Sequence, residues 1–204
     1  MIDILAVFIT FFAVIDPIGT IPVFVAVTKS YDKKTKHRVA LLATFTSACI
    51  LLFFVVAGEL LLNALSIPLP AFQISGGIVL FLFALSMIFG DSKPDEEIKL
   101  LEVSHKETAI FPLAVPSIAS PGAMLAAVLL TKNDLFSVWE QTQTALVMLS
   151  VLVLAYILML LSSYITKIIG TSGASVISRV MGLIISSIAI TNILTGLTEY
   201  YHLM

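Results

Sequence analysis

The sequence predicts an all-α membrane protein of six transmembrane helices, arranged as two inverted three-helix repeats whose first and fourth helices are broken at mid-membrane. Composition decides the solvent. The chain is 59% hydrophobic and 12% charged, with a mean hydropathy of +1.08, more apolar than a water-soluble domain can be. Apolar stretches long enough for roughly 30 Å of hydrocarbon, about 20 residues each, lie near 3–28, 39–62, 71–90, 108–131, 142–167 and 176–198. Two of them are interrupted at mid-depth by Pro, Gly and small polar residues: Asp16-Pro17-Ile18-Gly19-Thr20-Ile21-Pro22 and Pro116-Ser117-Ile118-Ala119-Ser120-Pro121-Gly122.

The first span carries no basic leading region and no small-residue cleavage site, so it is expected as a retained helix and not a signal peptide. At its break, Pro17 and Pro22 remove amide donors and clash with the preceding turn, while Gly19 lets the chain leave helical geometry. Hydrocarbon cannot satisfy the freed backbone groups, so the break must be buried in protein or line a cavity. Pro22 is placed to open a new half-helix with Thr20 as its cap, aiming the amides of Gly19 to Phe24 into the break with the positive end of the dipole behind them. Of the 24 charged residues, Asp16 alone lies well inside a span. A carboxylate there costs about 2.5–3.5 kcal/mol on the insertion scale. It reads either as a ligand for a substrate ammonium, Na⁺ or H⁺, or as a helix cap satisfied by amides across the break, and the two roles are compatible.

The second span ends near Glu59, which reads as a snorkelling interface residue. In the third span Ser75, Gly76 and Gly77, and in the sixth Ser178, Gly182 and Ser186, form small-residue faces suited to close helix packing. The connection 91–107 reads as a solvated cytoplasmic connector. In the fourth span Pro116 and Pro121 make the second break, and a half-helix starting after Ser120 and Pro121 offers the amides of Gly122, Ala123 and Met124. Carbonyls of Phe12, Ala13, Ala119 and Ser120, freed by the prolines, are expected to face an ammonium group or a coupling cation. Thr191 and Asn192, deep in the sixth span, are expected to hydrogen-bond across helices.

Lys and Arg set the orientation. Lys29, Lys33, Lys34, Lys36, Arg38, Lys93, Lys99, Lys106, Lys167 and Arg179 fall on one side, and only Lys132 of the eleven falls on the other. The positive-inside rule then puts both termini outside the cytoplasm. Asp16 and Ser120, like Pro17 and Pro121, stand 104 residues apart, and Gly77 and Gly182 stand 105 apart. Such an offset suggests a repeat, residues 1–90 and 108–204, joined by 91–107. Three spans is an odd number, so the second copy enters the membrane from the opposite face.

Other chemistries are poorly supplied. One cysteine, Cys49, excludes an internal disulfide relay, and His37, His105 and His202 lie in loops or at the C-terminus without metal-site spacing. No protein-held metal or cofactor is expected, apart from coupling H⁺ or a Na⁺ near Asp16. Ser117 and Ser120 have no base at membrane depth, so an intramembrane hydrolase, and an enzyme generally, is not expected. No phosphate-binding loop supports coupling to ATP, and the partners expected are lipid and a small solute, not nucleic acid.

Phe12 to Phe24, Ile74-Ser75-Gly76-Gly77-Ile78, Pro112-Leu113-Ala114-Val115-Pro116 with Ser120-Pro121-Gly122, and Arg179-Val180-Met181-Gly182-Leu183-Ile184 resemble the signature stretches of the MarC family of integral membrane proteins. The resemblance runs the length of the chain. It implies a six-helix protein of the prokaryotic cytoplasmic membrane, related to exporters of the LysE type, with some members transporting glycine, alanine and other small neutral amino acids. The second break lacks a carboxylate matching Asp16, so any cation site is asymmetric. The function expected is secondary transport of small neutral amino acids by alternating access, driven by Na⁺ or H⁺, with Asp16, Gly19, Thr20, Ser120, Gly122 and Ala123 at the substrate. The alternative is a channel or exporter-like pore for small polar solutes without ion coupling. A scaffold role would leave Asp16 unexplained.

Overall fold

A computed structural model describes residues 2–89, 109–133 and 135–201, and among these every regular element is helical. The connector 91–107, with Lys93, Lys99 and Lys106, and the C-terminal residues His202 to Met204 lie outside the described residues. Helix α1 (Ile4–Ile15) starts from Asp3, whose carboxylate accepts the amides of Leu5 and Ala6 at 3.0 and 3.1 Å, and α2 (Thr20–Val27) completes the first crossing. Helix α3 (Lys33–Ala64) begins six residues before the apolar stretch, because Asp32 caps it by accepting the Thr35 amide at 3.3 Å and Lys and Arg are good helix formers. Helix α4 (Leu69–Phe89) follows after a short turn.

Segment α5 (Ala109–Ile118) is helical only in part. Phe111 (φ −128°, ψ 126°) and Val115 (φ −131°, ψ 127°) are extended, and each precedes a proline, whose ring excludes the helical conformation from its neighbour. Helix α6 (Pro121–Leu129) leaves it at a bend of 55°. The last helical run, Val138–Tyr201, contains two spans, α7 (Val138–Ile165) and α8 (Val176–Tyr201), with Gly170 between them at φ 69°. Where the sequence suggests a loop near 167–176, the backbone stays helical apart from that one residue. Among the described residues five helices are thus long and apolar enough to cross a membrane, and the bent α5–α6 pair makes a sixth crossing if it is counted as one span.

Each long helix buries a single stripe: Ala43, Ser47 and Leu51 on α3, Gly77, Leu80, Ala84 and Met87 on α4, Met148, Leu152, Ala155 and Met159 on α7. These spacings of three and four residues match the helical period. The opposite faces are just as apolar, with Phe45, Val56, Leu82 and Val153 all more than half exposed, as lipid-facing side chains should be. The glycines fill the packing role expected of them. Side chains at Gly77 and Gly182 would run into the carbonyls of Ala189 and Ala84, at 3.0 and 3.1 Å from the added Cβ, and one at Gly76 would meet Leu125. One polar residue departs from expectation: Thr191 turns its hydroxyl back onto Ser187 of its own helix, at 2.9 Å.

One end of the molecule gathers the loop 130–137. The Asn133 amide donates to Glu59 at 2.8 Å, and Lys132 pairs with Glu199 at 3.6 Å. Glu59, a little over one turn before the end of α3, therefore anchors a loop. Trp139, in the first turn of α7 at this same end, is 69% exposed. At the other end His37 and the Tyr156 hydroxyl meet at 2.9 Å, tying the basic start of α3 to α7.

Candidate functional site

The two breaks are buried and adjacent. In the first, Asp16 ends α1 in the left-handed conformation (φ 49°, ψ 65°) while its amide still donates to the Phe12 carbonyl at 3.1 Å. Asp is among the few residues that adopt this conformation at modest cost. The reversal folds the side chain forward, so the Gly19 amide donates to Asp16 Oδ1 at 3.0 Å. The Thr20 amide and hydroxyl both donate to the Asp16 carbonyl, each at 3.1 Å. A Cβ at Gly19 would overlap the Asp16 carboxylate, and this overlap is why the position is glycine. The expected start of the half-helix needs correction: α2 begins at Thr20, with Pro22 in its third position. Of the two capping residues the sequence offers, Asp16 and not Thr20 supplies the side-chain oxygen, because the left-handed turn brings its carboxyl to the Gly19 amide.

In the second break Ser120 caps α6 with Pro121 as its first residue, as the sequence indicates. Ser120 Oγ accepts the Ala123 amide at 3.1 Å, and the Ser120 carbonyl accepts the Met124 amide at 3.0 Å. The two caps correspond at the 104-residue offset: Gly19 to Asp16 matches Ala123 to Ser120, and Thr20 to Asp16 matches Met124 to Ser120. The chemistry of the two caps differs. One is a carboxylate and the other a neutral hydroxyl.

Side chains join the breaks directly. The Ser120 hydroxyl donates to the Val14 carbonyl at 2.8 Å, and the Thr20 and Ser117 hydroxyls lie 3.4 Å apart. Asp16, Thr20, Ser117 and Ser120 are all 1% exposed or less. Of the carbonyls expected to face a guest, those of Phe12 and Ser120 instead accept amides of their own chain. Gly122 is buried against Leu80, whose side chain occupies the space a Cβ would need. Ser47 of α3 is a residue the sequence reasoning misses. Its hydroxyl reaches the Ala43 carbonyl at 2.9 Å and the Ala114 carbonyl at 3.3 Å, pinning the irregular segment α5. A lone serine in an otherwise apolar stripe was the available signal. Among the described residues, no group of three or more His, Cys, Asp or Glu side chains is placed to hold a metal ion.

A family model described as MarC family integral membrane protein matches residues 1–201. The chain is 33% identical over 192 residues to a UPF0056 membrane protein of Methanocaldococcus jannaschii, covering 93% of each chain. It is 28% identical over 193 residues to a UPF0056 membrane protein of Aquifex aeolicus, covering 93% of this chain and 90% of that one. A UPF0056 membrane protein of Buchnera aphidicola is 28% identical over 201 residues, covering 98% and 99%. No solved structure matches. With relatives in bacteria and archaea and several apolar helices, this is a multi-pass integral membrane protein. The match over nearly the whole length, on a fold with the two breaks that the signature stretches encode, establishes that the chain belongs to the MarC family of integral membrane proteins.

Proposed function

We propose that this protein is a secondary transporter of small neutral amino acids, of the glycine and alanine type, working by alternating access and driven by a Na⁺ or H⁺ gradient. The observation that carries the reading is the meeting of two buried helix breaks with unlike caps, the Asp16 carboxylate and the Ser120 hydroxyl. A zwitterion needs one pole of each kind. The Asp16 carboxyl stands at the start of α2, so a substrate carboxylate is disfavoured there and favoured at the start of α6, where the cap is a neutral hydroxyl and the positive end of the helix dipole meets no acidic side chain. Asp16 then faces the ammonium group or the coupling cation, with Gly19 and Thr20 holding its geometry. Leu80 already fills the space beside Gly122, which favours the smallest substrates, glycine and alanine.

Corresponding caps at one offset, and reciprocal Gly77–Ala189 and Gly182–Ala84 approaches at another, support the inverted repeat this mechanism uses. The skew of Lys and Arg supports both termini lying outside the cytoplasm of a prokaryotic cell.

Purified protein in liposomes preloaded with glycine should accelerate entry of labelled glycine, and an imposed Na⁺ or proton gradient should drive accumulation. Entry without acceleration by internal glycine, and without gradient dependence, would identify an uncoupled pore instead.

A further inference from the structure

Alternating access requires two bodies that move against each other, and the sequence repeat invites the assumption that each repeat is one of them. The packing divides the molecule differently. Helix α4 belongs to the first repeat, yet beyond the turn that joins them it scarcely touches α3. It lies along α8 of the second repeat instead. Three glycines fix that seam. A Cβ at Gly77 would stand 3.0 Å from the Ala189 carbonyl and beside Ile193, and one at Gly182 would stand 3.1 Å from the Ala84 carbonyl and beside Ile88. These contacts are reciprocal residue by residue, since 77, 84 and 88 map onto 182, 189 and 193 at the offset of 105. The third, Gly196, would stand 2.9 Å from the Pro70 carbonyl. The backbones therefore touch near both ends of α4, and neither sliding nor axial rotation is possible without lifting the helices apart.

Against α6 the atoms nearest the missing Cβ of each glycine are leucine side-chain atoms instead: Leu125 at Gly76, and Leu80 at Gly122. Such contacts can re-seat by a rotamer change. Two of the three stretches of chain that tie the pair to the rest also suit a joint; the third, 90–108, lies outside the described residues. Ser66, between α3 and α4, and Gly170, between α7 and α8, both have positive φ, 54° and 69°, and nothing lies within 4 Å of the place where a Cβ would stand on Gly170.

We propose that the moving bodies are not the two repeats but the α4–α8 pair on one side and the four remaining spans, including both breaks, on the other. The inference rests on the alternating-access reading above. In motion, the glycine seam stays fixed, while the Leu80–Gly122 and Leu125–Gly76 contacts change partners and open the breaks to one face at a time.

Spin labels at lipid-facing positions of a Cys49→Ser protein in liposomes test this by pulsed electron resonance. The pair Leu82→Cys/Leu194→Cys spans α4 and α8, Leu82→Cys/Phe45→Cys spans α4 and α3, and Phe45→Cys/Val153→Cys spans α3 and α7. Glycine with an imposed gradient should shift the α4–α3 distance and leave the α4–α8 and α3–α7 distances unchanged. If the repeats are the bodies, the pattern inverts: α4–α3 stays fixed and the other two shift. That result overturns the proposal, as do three fixed distances. Glycine counterflow measured on the same labelled proteins separates the two failures. Counterflow with an inverted or static pattern leaves a transporter with different moving parts, whereas absent counterflow from wild-type protein removes the transporter reading itself.

Discussion

A carboxylate at 1% exposure within a span is held at Asp16 by the amide of Gly19 and by a backbone conformation most side chains avoid. Asparagine tolerates the left-handed conformation, and its amide oxygen can still accept from Gly19. Asp16→Asn should therefore melt close to wild type yet lose gradient-driven uptake. Asp16→Ala should lose uptake and also stability, about 0.5–2 kcal/mol for the cap, with a further cost for alanine at positive φ. Full uptake by the Asn variant would leave Asp16 a structural cap. Gly19→Ala places a methyl where the carboxylate lies, so it should destabilise the wild type by more than it destabilises the Asp16→Ala protein. Thermal melts of the four proteins in a double-mutant cycle measure that coupling, and additivity would mean the two groups do not compete for space. At this scale the sequence was half legible. The isolation of Asp16 inside an apolar stretch marked it as a ligand or a cap, but the amide it caps depends on a left-handed turn that no local spacing encodes, so Asp16 and Thr20 both stood as caps in the sequence.

At the scale of elements, the start of α6 shows why some boundaries are readable. Ser120 followed by Pro121 combines a capping hydroxyl with a residue that needs no donor, and both act locally. The bond from Ser120 to Val14 is not local, so nothing in the sequence announced it. Ser120→Ala should remove the cap, about 0.5–2 kcal/mol, and leave the Val14 carbonyl short of a donor in a buried site, about 1–3 kcal/mol more. A lowered melting temperature with faster amide exchange at Ala123 would show both. The start of α3 responds to acid instead. The Thr35 side chain, followed by backbone amides, holds the exposed Asp32 carboxyl below its ordinary value of 3.8. A depressed carboxyl stabilises above its ordinary value and ceases to do so as pH falls through its folded value. Protection of the Thr35 amide, taken relative to its intrinsic exchange rate at each pH, should therefore fall as pH drops below 3.8, and Asp32→Asn should flatten that response.

For the whole molecule, the apolar stretches located the crossings to within a few residues at most ends, because hydrocarbon thickness constrains length directly. The lateral arrangement was not legible. That α4 leaves α3 and packs on α8 follows from glycines far apart in the chain, and their spacing looks the same whichever helix covers them. Orientation is open to direct measurement. With ten of eleven basic residues on one side, a reporter fused after Met204 should be active only outside the cytoplasm, and one inserted near Pro94 only inside. The opposite pattern would reverse the sidedness of both half-helices.

The loop 130–137 leads into Trp139, the single tryptophan of the chain, exposed in the first turn of α7. The protein thus carries a single indole fluorophore at one end of its helices, which the proposed topology puts at the outer boundary of the membrane, where an indole ring prefers to sit. Its emission reports sidedness without fusion or label. In right-side-out vesicles, iodide added to the medium should quench the native fluorescence and iodide trapped in the lumen should not. Brominated lipids should quench it most strongly when the bromine sits near the headgroups.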